Sequence, residues 1–141
     1  MIFYLDTSVV VSALTNEPAS RRVKAWLDAQ PPAELAISDW VVTEFSSALS
    51  IKLRNGKIDV LRRAAAFAAF ASLTAESFIV LSVAPQQFRL AARFADQQLL
   101  GLRGGDALHL AICAHHGAAL CTLDVRLAEA GPAVGVNTIR P

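Results

Sequence analysis

Cysteine, charge and chain punctuation are all scarce in this sequence. Two cysteines, Cys113 and Cys121, stand eight residues apart among 141 residues. That number builds no disulfide framework and that spacing lies outside the usual zinc patterns, so they read as buried thiols in a reducing compartment. Charged residues make up 18% of the chain, 13 Lys plus Arg against 12 Asp plus Glu, for a formal charge of +1. This excludes the strongly basic footprint of a histone-like or arm-type nucleic-acid binder, while leaving room for a local basic stripe. No basic segment precedes the opening Ile2-Phe3-Tyr4-Leu5 run, which meets an acid at Asp6, so the start reads as a strand and not as a secretory signal. The expected compartment is the cytoplasm. No repeat, low-complexity tract or linker interrupts the chain, and Pro31-Pro32, Asn55-Gly56, Gly104-Gly105 and Gly131-Pro132 read as single turns. One domain over residues 1–141 is expected, of a size that buries roughly two-thirds of its unfolded surface.

One run imitates a membrane span, Ala64 to Ala84. It carries Ser72, Thr74, Glu76, Ser77 and Ser82, and a glutamate in hydrocarbon costs a few kcal/mol. No membrane role is expected. The run reads instead as an Ala-rich helix, a polar break at Thr74-Ala75-Glu76-Ser77, and a buried strand. A mean hydropathy of +0.42 with so few charges implies that some apolar surface meets another chain.

What is present alternates. Short apolar runs at Ile2–Leu5, Leu35–Ser38, Phe78–Val83, Ala118–Thr122 and Val134–Thr138 read as strands. Between them, helical periodicity covers the segment to about residue 15, Ala19–Ala29, the stretch from Trp40 to Leu53, Asp59–Leu73, Pro85–Leu100, Asp106–His116 and Asp124–Ala130. Apolar strands without strict alternation are those of a parallel sheet covered on both faces, so the fold class is three-layered α/β.

Three acids share one context. Asp6 and Asp124 sit where a strand hands over to a helix, and Asp106 opens another helix. Each alone reads as an N-cap or first-turn acid, satisfying free N–H groups and complementing the dipole. Parallel sheets, however, bind ligands beyond the carboxyl ends of their strands, where acids distant in sequence converge. A fourth acid, Glu44, points from a largely apolar helix face. Were the four within about 5 Å, each pair would repel by roughly 3 kcal/mol at an effective dielectric near 20. Either some are protonated or a divalent cation sits among them, and oxygen-only donors suit Mg²⁺ or Mn²⁺. Such an ion activates water against a phosphodiester, so phosphodiester hydrolysis is the natural chemistry.

Asp6-Thr7-Ser8 after the first strand, Glu44, the Gly105-Asp106-Ala107-Leu108-His109-Leu110-Ala111 helix start and Thr122-Leu123-Asp124 together resemble PIN-domain ribonucleases. More narrowly they resemble the VapC toxins of bacterial toxin–antitoxin pairs, in order and across essentially the whole chain. The resemblance implies a PIN-like fold with a mainly parallel sheet, and Asp6 and Asp106 as the firmest metal ligands. Glu44 and Asp124 complete the pocket directly or through water. Thr7 or Ser8 would hydrogen-bond within the loop after the first strand, and Thr122 would orient Asp124 or a water. It also implies Mg²⁺- or Mn²⁺-dependent endonuclease activity on RNA, a homodimer, and inhibition by a cognate VapB-like antitoxin.

Other residues are weaker pointers. His109 shares a helical face with Asp106 and reads as a packed or hydrogen-bonded histidine, and His115-His116 as surface. Arg103, Lys52 and Arg54 are the candidate phosphate contacts, with Lys57, Arg89 and Arg93 as further helix-surface cations. The Phe67, Phe70, Ala71 and Leu73 stripe reads as core, part of it available with Trp26 or Trp40 to a dimer or antitoxin surface. Two other classes begin similarly. A haloacid-dehalogenase-like phosphatase wants a second Asp two residues after the first, where this chain has Ser8. A receiver-like binding module wants a Lys at the end of a late strand, and no Lys follows Lys57.

Overall fold

A computed structural model describes all residues, 1–141. Strands β1 (Phe3–Leu5), β2 (Leu35–Ser38), β3 (Ile79–Leu81), β4 (Ala119–Cys121) and β5 (Thr138–Ile139) form one sheet in the order β3-β2-β1-β4-β5. Every neighbouring pair is parallel. Seven helices connect them: α1 (Thr7–Leu14), α2 (Ser20–Asp28), α3 (Asp39–Arg54), α4 (Val60–Glu76), α5 (Pro85–Ala95), α6 (Gly104–His116) and α7 (Val125–Ala133). The α/β reading and its parallel sheet are borne out.

The chain builds outward from β1 through β2 to β3, then returns to the other side of β1 with β4 and β5. The order therefore reverses between β1 and β4, where connections leave in opposite directions and open a crevice beyond the carboxyl ends. Leu5 is in register with Cys121, and the Asp6 N–H donates to the Cys121 carbonyl at 3.0 Å. Asp6 and the Thr122-Leu123-Asp124 turn thus leave adjacent strands side by side.

The core under this crevice is one cluster of 27 buried residues, including Tyr4, Leu5, Ile37, Phe45, Leu110 and Leu120. Each large side chain so buried stabilises the fold by about 1.5–3 kcal/mol before entropy is counted. Phe45 lies 4.3 Å from Phe70 and 5.4 Å from Phe67, centroid to centroid, fixing α3 on α4. Ala71 is exposed, so the stripe is only partly core.

Several boundaries differ from expectation for identifiable reasons. Helix α4 runs through Thr74 and Ala75 to Glu76, because no glycine or proline stops it there. Strand β3 is an edge strand, with Ile79 36% and Val80 43% exposed, so its apolar composition does not signify burial. Helix α5 stops at Ala95, and a separate 3₁₀ turn covers Gln98–Leu100. Gly104 and Gly105 are helical residues of α6, not a turn before it. Helix α7 carries on through Gly131-Pro132, delaying β5 to Thr138. Pro132 has no N–H for the Ala128 carbonyl, and the Thr138 hydroxyl donates to that carbonyl instead, at 2.8 Å. A Cβ on Gly131 would sit 2.2 Å from Thr138 Cγ2, so the helix and the last strand meet through a glycine. No helix is long and apolar enough to cross a membrane.

Candidate active site

The crevice at the β1–β4 reversal gathers all four predicted acids, each delivered by a different element. Asp6 caps α1: its Oδ1 accepts from the Val9 N–H at 3.1 Å and from the Ser8 hydroxyl at 2.5 Å. Its Oδ2 accepts from the Thr122 hydroxyl at 2.5 Å, across the sheet from the end of β4. Asp124 caps α7 in the same manner, with Oδ1 accepting from the Leu127 N–H at 3.1 Å. The helix-cap reading and the crevice reading therefore both hold for these two residues. Asp106 stands in the first turn of α6.

Glu44 reaches the crevice from the middle of α3. Its Oε1 accepts from the Thr7 hydroxyl at 2.7 Å and from His109 Nε2 at 2.5 Å. The other ring nitrogen, Nδ1, faces the Tyr4 hydroxyl, 2.9 Å away. The Tyr4 oxygen in turn lies 2.8 Å from the Ser38 hydroxyl. A buried line of polar groups thus runs from the end of β2 through β1 and α6 to the acid on α3. Ser38 stands at the N-cap position of α3 without capping it, because its hydroxyl is engaged with Tyr4. Gly105 permits the approach of α6 to α3: a Cβ there would lie 3.2 Å from Trp40 Cζ2 and 3.4 Å from Glu44 Oε2.

Ser8 bonds within the loop after β1, Thr122 bonds Asp124, and both, with Thr7, also reach across to other elements. Thr7 does not bond within its own loop but crosses to Glu44. Ser8 ties two loops together, donating to Asp6 and accepting from the Leu123 N–H at 3.0 Å. Thr122 donates to Asp6 and accepts from the Asp124 N–H at 3.0 Å, so it sets the backbone of Asp124 as well as the carboxylate of Asp6. His109 is packed and hydrogen-bonded, as predicted, and only 2% exposed. Tyr4 and Ser38 were not anticipated. Their one signal is that Tyr4 shares a strand face with Asp6, two residues on.

Electrostatics separates the four acids. Burial pushes the Asp6 carboxyl above the ordinary value of 3.8, against the lowering effects of the His109 charge, Ser8, Thr122 and the Val9 amide. Burial also works upward on Glu44, but the His109 hydrogen bond and charge, with Thr7, outweigh it and hold this acid below its usual 4.5. Asp106 is raised first by burial and next by the Asp124 charge, with Glu44 and Asp6 adding to it and His109 opposing. No hydrogen-bond donor of the protein relieves Asp106.

As the side chains stand, no three of the His, Cys, Asp and Glu groups are drawn close enough together to grip an ion. The donor set nonetheless fits a hard divalent cation. It consists of carboxylate oxygens and no thiol, Glu44 Oε2 and Asp124 Oδ2 keep free lone pairs, and Asp106 suffers the repulsion that a cation would cancel.

Of the predicted phosphate contacts, Arg103 occupies the N-cap position of α6 and is exposed. Lys52 is drawn into an ion pair with Glu17 at 3.3 Å, and Arg54 is exposed at the end of α3.

An all-parallel α/β domain with carboxylates converging at the strand-order reversal defines a class of acid-lined crevice proteins. The family model for the PIN domain matches residues 3–131, and the chain belongs to the PIN domain family. Among curated protein sequences none matches significantly. Similar crystal structures include FitAcB from Neisseria gonorrhoeae, at TM-score 0.75 and 19% identity over 99% of this chain and 98% of that one. VapC20 from Mycobacterium tuberculosis, described as a sarcin-ricin loop cleaving toxin, aligns at TM-score 0.72 and 18% identity over 99% of both chains. VapBC2 from Rickettsia felis, bound to a DNA fragment from its promoter, aligns at TM-score 0.67 and 16% identity over 99% and 98%. At such identities these are likenesses of fold. Family membership displaces the phosphatase and receiver readings.

Proposed function

We propose that this chain is a metal-dependent endoribonuclease, the toxin of a type II toxin–antitoxin pair, built as one domain over residues 1–141. It works in the cytoplasm as a homodimer restrained by a VapB-like antitoxin. The observation that carries the activity is Asp106: a half-buried carboxylate with no protein donor at the strand-order reversal, raised first by burial and then by the charges of Asp124, Glu44 and Asp6. Structural neighbours that include a toxin described as cleaving the sarcin-ricin loop support the substrate class.

Asp6 and Asp106 would hold Mg²⁺ or Mn²⁺, and Glu44 and Asp124 complete the pocket directly or through water. When bound, the ion supplies Lewis acidity toward a phosphodiester oxygen and toward water. The chain's own residues supply position. Ser8 and Thr122 fix both oxygens of Asp6, and Thr7 with His109 fixes Oε1 of Glu44, leaving Oε2 toward the first turn of α6. Asp124, exposed and open at Oδ2, orients the attacking water. Hydrolysis then joins that oxygen to phosphorus as one P–O ester bond breaks; the water gives up a proton and the departing ribose oxygen takes one, leaving a phosphomonoester and a hydroxyl. Arg103, Lys52 and Arg54 are the proposed contacts to the RNA backbone.

The test is cleavage of total RNA by the wild type and Asp106→Asn, with Mg²⁺ or Mn²⁺ and with EDTA. Discrete fragments requiring both the ion and Asp106 support the reading. Equal cleavage by Asp106→Asn overturns it.

A further inference from the structure

A second concavity, of about 820 Å³, opens beside the α1–α2 connection and the α3–α4 turn. Lys24 of α2, Lys52 of α3, Lys57 of the following turn and Arg62 of α4 line it, with Glu17 as its acid. Four cations against one acid give this wall a charge of +3, on a chain whose formal charge is only +1. They arrive from four separate segments, so the convergence belongs to the tertiary structure and not to one basic helix face. No aromatic side chain lines it. Glu17 also borders a neighbouring concavity of about 370 Å³, whose walls include Thr7, Ser8 and Asp124. Through Glu17 the basic wall therefore adjoins a concavity that reaches Asp124, one of the four acids.

We propose that this basic concavity is a docking channel for the sugar-phosphate backbone of single-stranded RNA, feeding it past Glu17 toward the acids. The proposal rests on the nuclease reading above. Cations attract phosphates irrespective of sequence, and without aromatic platforms bases are not stacked, so the channel binds backbone and does not choose sequence. Glu17 competes with phosphate for Lys52, to which it is paired at 3.3 Å, and so weakens binding where the channel meets the crevice. An acidic protein segment would also suit four cations. RNA is favoured because a continuous phosphate chain links the basic wall to the place where a phosphodiester must be delivered.

The test measures binding of fluorescein-labelled U₁₂ and A₁₂ to Asp106→Asn protein between 50 and 200 mM salt. Lys24→Ala, Lys57→Ala, Arg62→Ala and Glu17→Gln are compared in the same background, with circular dichroism as the folding check. Each alanine variant should weaken binding several-fold and lower the log–log salt slope by about 0.7, equally for U and A. Glu17→Gln should tighten binding, while Arg89→Ala on α5 should leave it unchanged. An unaltered salt slope in the triple alanine variant, absent RNA binding, or capture of polyglutamate in place of RNA each overturns the channel. RNA bound through these cations but never cleaved by the wild-type chain sinks the nuclease reading and leaves the channel standing.

Discussion

The acid crevice and the basic concavity differ in how firmly their charges are held. Asp6, Glu44 and Asp124 are each pinned by at least one protein donor, through loops that leave adjacent strands or a helix packed beneath them. Of the cations, Lys52 alone has an ion-pair partner, and Lys24, Lys57 and Arg62 sit exposed at the surface. The contrast separates two physical tasks. Assembling a reacting geometry needs fixed atoms, while attracting a polyanion needs only charge of the right sign over a broad area.

Removing charge in the acid crevice should therefore cost most. Asp106→Asn is expected to reduce cleavage on the order of 10³-fold, since it deletes one of the two proposed metal ligands. Without added metal the same variant should melt no lower than wild type, and slightly higher if anything, because it relieves repulsion at a carboxyl that has no hydrogen bond to lose. Asp6→Asn is the poorer probe. Asp6 accepts from Ser8, Val9 and Thr122, so an amide there also disturbs the stitch between β1 and β4, at about 1–3 kcal/mol for a buried group left unpaired.

Next in size is His109→Ala, which leaves Oε1 of Glu44 held by Thr7 alone and the Tyr4 hydroxyl bonded only to Ser38; cleavage should fall about 10–100-fold, the usual cost of losing a residue that orients a ligand. Tyr4→Phe distinguishes orientation from stability. It leaves the His109–Glu44 contact in place, so its effect should appear in the melting temperature more than in turnover. Equal losses of activity from both variants would show that the line of polar groups acts only as core.

Acidification gives a graded version of the same comparison. Asp6 and Asp106 have folded pKa values above the ordinary 3.8, so protons compete for them at a higher pH than for exposed aspartates. Mn²⁺ affinity should fall by up to about tenfold per pH unit as pH drops through those raised values, read by calorimetry. In metal-free protein the stability effect has the opposite sign. The folded state takes up protons on these two acids before the unfolded chain does, so stability rises as pH falls through their folded values. Glu44 reverses the trend at lower pH, since its depressed value makes its contribution present above 4.5 and lost as pH falls through the folded value. The smallest effect should be that of a single exposed cation. Lys57→Ala should raise KM several-fold at low salt with turnover unchanged, and the difference should shrink as salt rises.

The sheet, the helix order and all four acids were legible in the sequence because each leaves a local signal: an apolar run, a 3.6-residue period, an acid at a strand end. What escaped was decided by neighbours. The exposure of Ile79 and Val80 depends on β3 being last in the sheet, which composition does not record. Helix α7 survives Pro132 because a threonine six residues later supplies the missing donor. The Ser38–Tyr4–His109–Glu44 line joins residues up to 105 positions apart, and no spacing rule connects them. Lys24, Lys52, Lys57 and Arg62 likewise form a wall only after α2, α3 and α4 have packed.

Cys113 on α6 and Cys121 at the end of β4 are both free and buried in the core beneath the crevice. Burial pushes both thiols up, Cys121 to about 12, and leaves almost no thiolate at neutral pH for an alkylating reagent. Labelling must then wait until α6 and β4 come apart. The chain carries its own stopwatch: the rate of thiol modification counts how often the floor of the crevice opens, and any occupant that closes it should slow the count.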